Sequence, residues 1–155
     1  MDNEHFKVTP IKNGTVIDHI PAGNAFRILK IIGIDEDCKS TVSILINVPS
    51  RQLGSKDIIK IEDRELDDNE LNKIALMASD ATINIIRDKN VHEKKKVSLP
   101  DELTGIIRCQ NTNCISNKKD EKMLPHIIVE TRSPLRVKCH YCDRTIINPQ
   151  DAILF

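Results

Sequence analysis

Four of the five cysteines form two close pairs, and this pattern constrains the fold more than any other feature of the sequence. Four residues separate Cys109 from Cys114, and two separate Cys139 from Cys142. Two short chelating loops joined by a longer excursion are typical of a tetrahedral Zn²⁺ site. Four thiolates would fill every coordination position and leave none for water, so we predict one structural Zn²⁺ rather than a catalytic metal.

The same cysteines could instead form two disulfides or remain buried thiols. The first residues contain neither the basic segment nor the apolar run of a secretory signal, so we expect a reducing, cytoplasmic compartment. Paired cysteines in that compartment bind metal more often than each other. His126 and His140 could replace a ligand in principle, but four cysteines already complete the set.

Charge and composition limit the partners. Residues 1–100 carry 15 basic and 16 acidic side chains, and residues 101–155 carry 8 and 7. A nucleic-acid-binding domain usually has a clear basic surplus, whereas both parts are within one charge of neutral. No apolar run approaches the roughly 20 residues of a membrane span. A zinc-ribbon adaptor that binds nucleic acid is the alternative hypothesis, and the charge balance counts against it. Because no segment could span a membrane, we expect no membrane association.

Hydrophobic periodicity predicts two helices within an antiparallel sheet. Asp67 and Glu70 form a capping box, Pro21 is predicted to open the first helix, and Gly33 to end it in a left-handed conformation. The order β-α-β-β-α-β is that of a ferredoxin-like sheet with both helices on one face. The predicted strands are residues 15–20, 41–48, 57–62 and 81–87, with an edge strand at 91–97, and the helices are residues 21–32 and 68–78.

A composition change at Pro100 predicts two domains, residues 1–97 and 101–155, joined by a linker at 98–101. The second is small enough for a lone hydrophobic core to be marginal, and a metal would compensate for that. We predict it to be all-β. Its expected short strands are residues 106–107, 126–131, 135–138, 145–147 and 152–155.

One face of the first domain could bind an anion. Because side chains alternate along a strand, Lys60, Asn84 and Lys94 would lie together if their strands present the same face. Such a surface suits a nucleotide, with phosphate oxygens on the lysines and the base or ribose against isoleucines, Asn84 and Asp18. Alternatively, these lysines are solvated surface charges. Motifs for phosphate loops, hydrolases and metalloproteases are absent, so we expect no enzyme activity, although an enzyme with an unrecognised site remains a third hypothesis.

Six strings, in the same order along the chain, together resemble the regulatory chain of aspartate carbamoyltransferase, and the match runs from residue 8 to residue 142. They are GTVIDHI at 14–20, KDIIKIE at 56–62, ATIN at 81–84, SLP at 98–100, C-x4-CISN at 109–117 and C-x-Y-C at 139–142. This resemblance implies a non-catalytic subunit of pyrimidine biosynthesis. It further implies an allosteric domain that binds CTP, ATP and UTP, a zinc domain that docks on catalytic chains, and a homodimer of regulatory chains.

The resemblance also implies site residues. The zinc ligands would be the four cysteines already named, and the nucleotide site would include Thr9, Ile11, Asp18, His19, Lys60, Asn84, Ile86, Val91 and Lys94. Two positions depart from the family pattern: Thr9-Pro10 replaces an acidic residue followed by a small one, and Lys89 replaces a tyrosine.

Overall fold

The computed structural model describes residues 10–154. The chain divides into two compact units, Met1–Val97 and Ser98–Phe155. The predicted site residue Thr9 lies outside the described residues. The predicted strand at residues 152–155 extends one residue beyond them.

The described part of the N-terminal unit is built on one antiparallel sheet of five strands. They are Gly14–Pro21 (β1), Val42–Ser50 (β2), Gly54–Glu62 (β3), Thr82–Arg87 (β4) and Asn90–Lys96 (β5), and they lie in the order β2-β3-β1-β4-β5. The first four strands have the ferredoxin-like order, and β5 extends the sheet beyond β4, so the predicted fold class is confirmed.

Two helices cover the apolar face of this sheet. Ile17, Ile59 and Ile83 project from the three central strands and are at most 1% exposed. The first helix, α1 (Ala25–Ile31), packs on β3 and on the second helix, α2 (Asp68–Met77). The Asp67 side chain accepts a hydrogen bond from the Glu70 amide and Glu70 accepts one from the Asp67 amide, which confirms the capping box.

The start of α1 differs from the prediction. Pro21 ends β1, and its carbonyl closes a turn by accepting the Asn24 amide at 3.1 Å. Gly23 in this turn has φ +98°, which no helix can contain, so α1 begins only at Ala25. At the other end, Gly33 has φ +73°, as predicted for a left-handed helix end.

The described part of the C-terminal unit contains a four-stranded antiparallel sheet. Its strands are Glu102–Thr104 (β6), His126–Arg132 (β7), Leu135–Cys139 (β8) and Thr145–Ile146 (β9), in the order β6-β7-β8-β9. Two short 3₁₀ turns, Ile115–Asn117 and Pro149–Ala152, complete the unit. Its core is formed by buried aliphatic side chains, among them Leu103, Ile107, Ile127 and Val137.

Two strands predicted for this unit are absent from residues 10–154. Ile107 and Ile153 form only an isolated antiparallel bridge. Ala152 still belongs to the 3₁₀ turn that begins at Pro149, so only Ile153 and Leu154 follow before the described residues end. The Arg108 amide donates to the Ala152 carbonyl at 2.9 Å and the Leu154 amide to the Ile106 carbonyl at 2.8 Å, and this contact is too short to count as a strand pair. Strand β6 was not predicted, because three residues are too few to show a period.

Candidate metal centre and the open face of the sheet

The four paired cysteines converge at one end of the C-terminal sheet. Cys139 ends β8, Cys142 lies in the turn before β9, and Cys109 and Cys114 bound the loop that precedes the first 3₁₀ turn. We call residues 109–114 the first knuckle and residues 139–142 the second. All four sulfur atoms lie within 4.8 Å of one another, and three of the cysteines are buried.

The distances between these sulfur atoms fit a tetrahedral metal. The Cys109 and Cys142 sulfur atoms are 3.6 Å apart, and those of Cys114 and Cys139 are 3.7 Å apart. A tetrahedron with Zn–S bonds of about 2.3 Å has edges of about 3.8 Å. A disulfide would require about 2.05 Å, and all five cysteines are free, so the disulfide alternative is excluded.

Without a metal, burial keeps part of the cluster protonated. Burial raises the pKa of Cys109 to about 12 and raises the pKa of Cys139 as well. At Cys142 burial acts in the same direction, but hydrogen bonds from the Arg144 amide and the Asn111 side chain outweigh it and lower the pKa to about 7. A divalent cation would displace the remaining protons and balance the charge of the thiolates. The donor set therefore fits one structural Zn²⁺.

His126 and His140 lie near the cluster but are not needed as metal ligands. The imidazole of His126 lies 3.0 Å from a Glu102 carboxylate oxygen and stacks on His140 with ring centroids 4.5 Å apart. Among the described residues, the four cysteines alone form a group of metal-ligating side chains. A coordination sphere made only of sulfur is thus complete without either histidine.

A row of polar side chains crosses the sheet face opposite the helices. Lys60 is the cross-strand neighbour of Val16, Val16 that of Asn84, and Asn84 that of Lys94. Directly opposed residues in an antiparallel ladder point to the same side. The structure therefore brings Lys60, Asn84 and Lys94 together on one surface, which we call the open face.

Asp18 and His19 lie beside this row at an irregularity in β1. The pairing of β1 with β3 shifts between Ile17 and Ile20, and His19 adopts φ +57°. An Asp18 carboxylate oxygen accepts the His19 amide at 2.6 Å and lies 3.0 Å from the Lys56 ammonium. The His19 imidazole contacts the Thr82 hydroxyl at 3.2 Å.

Lys56 is a site candidate that sequence reasoning missed. Lys56, Ile58 and Lys60 lie two residues apart along β3 and therefore share one face. The alternation that predicted Lys60 would also have predicted Lys56. The structure adds a third ammonium to the open face through the Lys56–Asp18 ion pair.

The remaining predicted nucleotide-site residues lie near the strand ends. Ile86 is opposite Val91, and the pairing of β4 with β5 shifts just before it. Ile86 is 9% exposed and Val91 59% exposed, so together they offer one buried and one accessible aliphatic surface. Ile11 is buried.

None of the helices in residues 10–154 is both long and apolar enough to span a membrane.

Comparison with known proteins yields two family models that cover most of the chain. Residues 6–98 match "Aspartate carbamoyltransferase regulatory chain, allosteric domain". Residues 101–151 match "Aspartate carbamoyltransferase regulatory chain, metal binding domain".

Individual relatives are similar over nearly their full length. An aspartate carbamoyltransferase regulatory chain from Methanothrix thermoacetophila is 53% identical over 146 residues, 94% of each chain. The regulatory chain from Thermococcus gammatolerans is 53% identical over 140 residues, 90% of this chain and 91% of the relative. That from Thermoplasma volcanium is 49% identical over 146 residues, 94% and 95% of the two chains.

Proposed function

Because this chain belongs to the family of aspartate carbamoyltransferase regulatory chains, we propose that its residues 1–97 bind nucleotide effectors and that its residues 101–155 dock on catalytic chains. It is a regulatory chain and not a catalytic subunit. The effectors that we assign to the first domain are CTP, ATP and UTP.

The open face carries the nucleotide-binding proposal. Ammonium groups donate to phosphate oxygens as compact positive charges, and Lys60 and Lys94 flank an amide, Asn84, in one cross-strand row. Lys56 and Asp18 add a second row, in which a carboxylate can accept a ribose hydroxyl. The aliphatic surfaces of Ile86 and Val91 would contact the base, together with Ile11 and Thr9 from the N-terminal segment.

The metal centre supports docking by the second domain. Four thiolates around one Zn²⁺ would fix both knuckles in a unit whose small size limits its hydrophobic core. Reduced thiols are required for this ligand set, which supports a cytoplasmic location. A rigid docking unit would let a rotation of the nucleotide-binding domain reach the catalytic chains without being absorbed by local unfolding.

Pairing of two regulatory chains is supported by the edge strand β2. One edge of this strand has no neighbour within the described sheet, and Ile44 and Ile46 are 38% and 55% exposed on it. An exposed aliphatic edge strand is a template for pairing with a second strand. We assign the homodimer to this edge.

Control of the enzyme would follow from differential binding. A nucleotide can change the activity of the catalytic chains only if it binds one quaternary state of the assembly more tightly than another. A coupling free energy of about 1 to 3 kcal/mol is ordinary for such a response.

The binding proposal is tested by calorimetric titration of the full chain with CTP, ATP and UTP. Lys60→Ala and Lys94→Ala each remove a charge-assisted hydrogen bond worth about 1.5–3 kcal/mol, so we expect affinity to fall about 10-fold to 100-fold. Lys73→Ala is the matched control, because it removes a lysine from α2 on the other side of the sheet. Unchanged affinity in both open-face variants would contradict the site.

A further inference from the structure

Two side-chain amides outside the ligand set hold the backbone of the first knuckle. The Asn117 side-chain nitrogen donates to the carbonyl oxygen of Cys109 at 2.8 Å and to that of Asn111 at 2.7 Å. The Gln110 amide accepts the Ile147 N–H at 2.9 Å and donates to the Ile147 carbonyl at 2.5 Å. Asn117 ends the CISN string quoted above but had no role assigned to it, and Gln110 was not singled out by the sequence.

Asn117 closes the first knuckle into a ring that does not include the metal. Its backbone amide donates to the Cys114 carbonyl at 2.9 Å, which fixes the residue relative to the second thiol of the pair. Its side chain reaches back to the carbonyl of Cys109, the first thiol of the pair. Both N–H groups of the Asn117 carboxamide donate, one to each carbonyl oxygen. A side chain without donors could not bind these two oxygens.

Gln110 joins the first knuckle to the chain that leaves the second. Ile147 directly follows β9, and β9 follows the turn that holds Cys142. A side-chain amide that pairs with both the N–H and the carbonyl of one residue replaces a neighbouring strand at that point. The Ile147 side chain is 70% exposed and adds little packing, so this residue is linked to the first knuckle through its two backbone hydrogen bonds to Gln110.

We propose that Asn117 and Gln110 are positioning residues of the metal centre, which keep the first knuckle closed and thereby slow the loss of the metal. Release of Zn²⁺ requires one knuckle to open so that its thiolates can separate and take up protons. Opening the first knuckle breaks the hydrogen bonds of Asn117, and moving it away from β9 breaks those of Gln110. Removal of the amides lowers the cost of both motions while leaving all four sulfur ligands in place.

The experiment measures zinc transfer from the full chain to an excess of a chromogenic chelator. The variants are Asn117→Leu, which removes the donors without adding charge, Asn117→Asp, which removes the donors but adds a negative charge, and Gln110→Ala. Asn113→Ala is the matched control, since this asparagine lies in the same knuckle, is exposed, and makes no hydrogen bond through its side chain within residues 10–154. Each chain is also loaded with Co²⁺, whose absorption spectrum reports the tetrahedral thiolate ligation directly.

Groups that orient metal ligands typically contribute 10-fold to 100-fold to metal binding. We expect zinc release to be faster by about that factor in both Asn117 variants, faster by a smaller factor in Gln110→Ala, and within twofold of the parent in Asn113→Ala. The cobalt spectrum should keep the four-thiolate form throughout. Faster release in Asn117→Asp would separate the effect from charge, because added negative charge near the ion would by itself retain it.

Three results would overturn the proposal: release at the parent rate in both Asn117 variants, equal acceleration in Asn113→Ala, or a cobalt spectrum showing that a thiolate has been lost. If Asn117→Leu does not fold, the isosteric Asn117→Asp and the independent Gln110→Ala decide the outcome by the same rates.

Discussion

Replacing Asp57 with alanine should destabilise the N-terminal unit far more than replacing a surface carboxylate. Asp57 has no exposed surface, although its neighbours along β3 alternate between buried and partly exposed. One carboxylate oxygen accepts the amides of Gly23 at 3.0 Å and Ala25 at 3.1 Å, and the other accepts the Asn47 amide at 2.8 Å. The residue therefore joins the start of α1 and strand β2 to the centre of the sheet.

The magnitude follows from the burial of the three donors. The Ala25 hydrogen bond is fully buried, so an unpaired Ala25 amide would cost about 1–3 kcal/mol. The Gly23 and Asn47 amides are partly exposed and can be hydrated after the substitution, which reduces their cost to about 1 kcal/mol each. We expect Asp57→Ala to lower the free energy of unfolding by about 4 kcal/mol. Asp57→Asn, which retains one acceptor oxygen, should cost about half as much.

Amide hydrogen exchange is the appropriate measurement, because the chain has two units and its single tyrosine, Tyr141, reports only on the second. Protection of the buried β3 amides of Ile59 and Ile61 gives the opening free energy of the first unit. Asp67→Ala is the control, since it removes an exposed helix cap worth about 1 kcal/mol. A loss of protection in Asp57→Ala no larger than in Asp67→Ala would refute the reasoning.

Three further predictions concern the metal and the sheet edge. Cys114→Ser should abolish stoichiometric zinc binding, measured by metal analysis, and assembly with catalytic chains, measured by gel filtration. Nucleotide affinity, measured by calorimetry, should stay within twofold. Retention of zinc would contradict the four-cysteine site. In the metal-free chain near pH 8, Cys142 should be mostly ionised and alkylated well before Cys109, whose raised pKa of about 12 keeps it protonated, and mass spectrometry of a time course would show the order. Ile46→Asp should weaken the homodimer by at least 10-fold in sedimentation analysis, whereas Phe26→Asp, an equally accessible apolar position on α1, should not; equal effects would remove β2 from the interface.

Features set by local chemistry were predictable from the sequence. The capping box of Asp67 and Glu70 depends on residues three apart, and the left-handed end of α1 depends on Gly33 alone. The metal centre was predictable for a related reason, because spacing within each cysteine pair fixes a chelating loop and the metal supplies the long-range contact. Each of these features is complete within a few residues or is completed by a ligand.

The start of α1 was not predictable because its determinants are distant in sequence. Pro21 is suited to the first turn of a helix, and the apolar residues after it have helical spacing. What delays the helix is Gly23 with its positive φ, together with the Asp57 carboxylate, which lies more than 30 residues away and binds the amides of Gly23 and Ala25. No local pattern identifies a buried acceptor on another strand.

The pairing of β2 with β3 shifts between Leu45 and Val48, as that of β1 with β3 does between Ile17 and Ile20. These bulges in β1 and β2 show why the open face could be predicted only in part. A one-residue irregularity reverses which side the following residues occupy, so alternation located Lys60 and Asn84 on regular strand segments but could not place Asp18 and His19. Each bulge also frees an amide from the ladder, and in both an aspartate accepts it: Asp18 for His19, and Asp57 for Asn47. These carboxylates lie on opposite faces of the sheet. On the helix-covered face Asp57 receives only backbone donors, whereas on the open face Asp18 also receives an ammonium, that of Lys56. A bulge whose free amide binds an aspartate thus stabilises the core on the helix-covered face and positions an ion pair on the open face. Only the strand pairing in three dimensions shows which aspartate lies on which face.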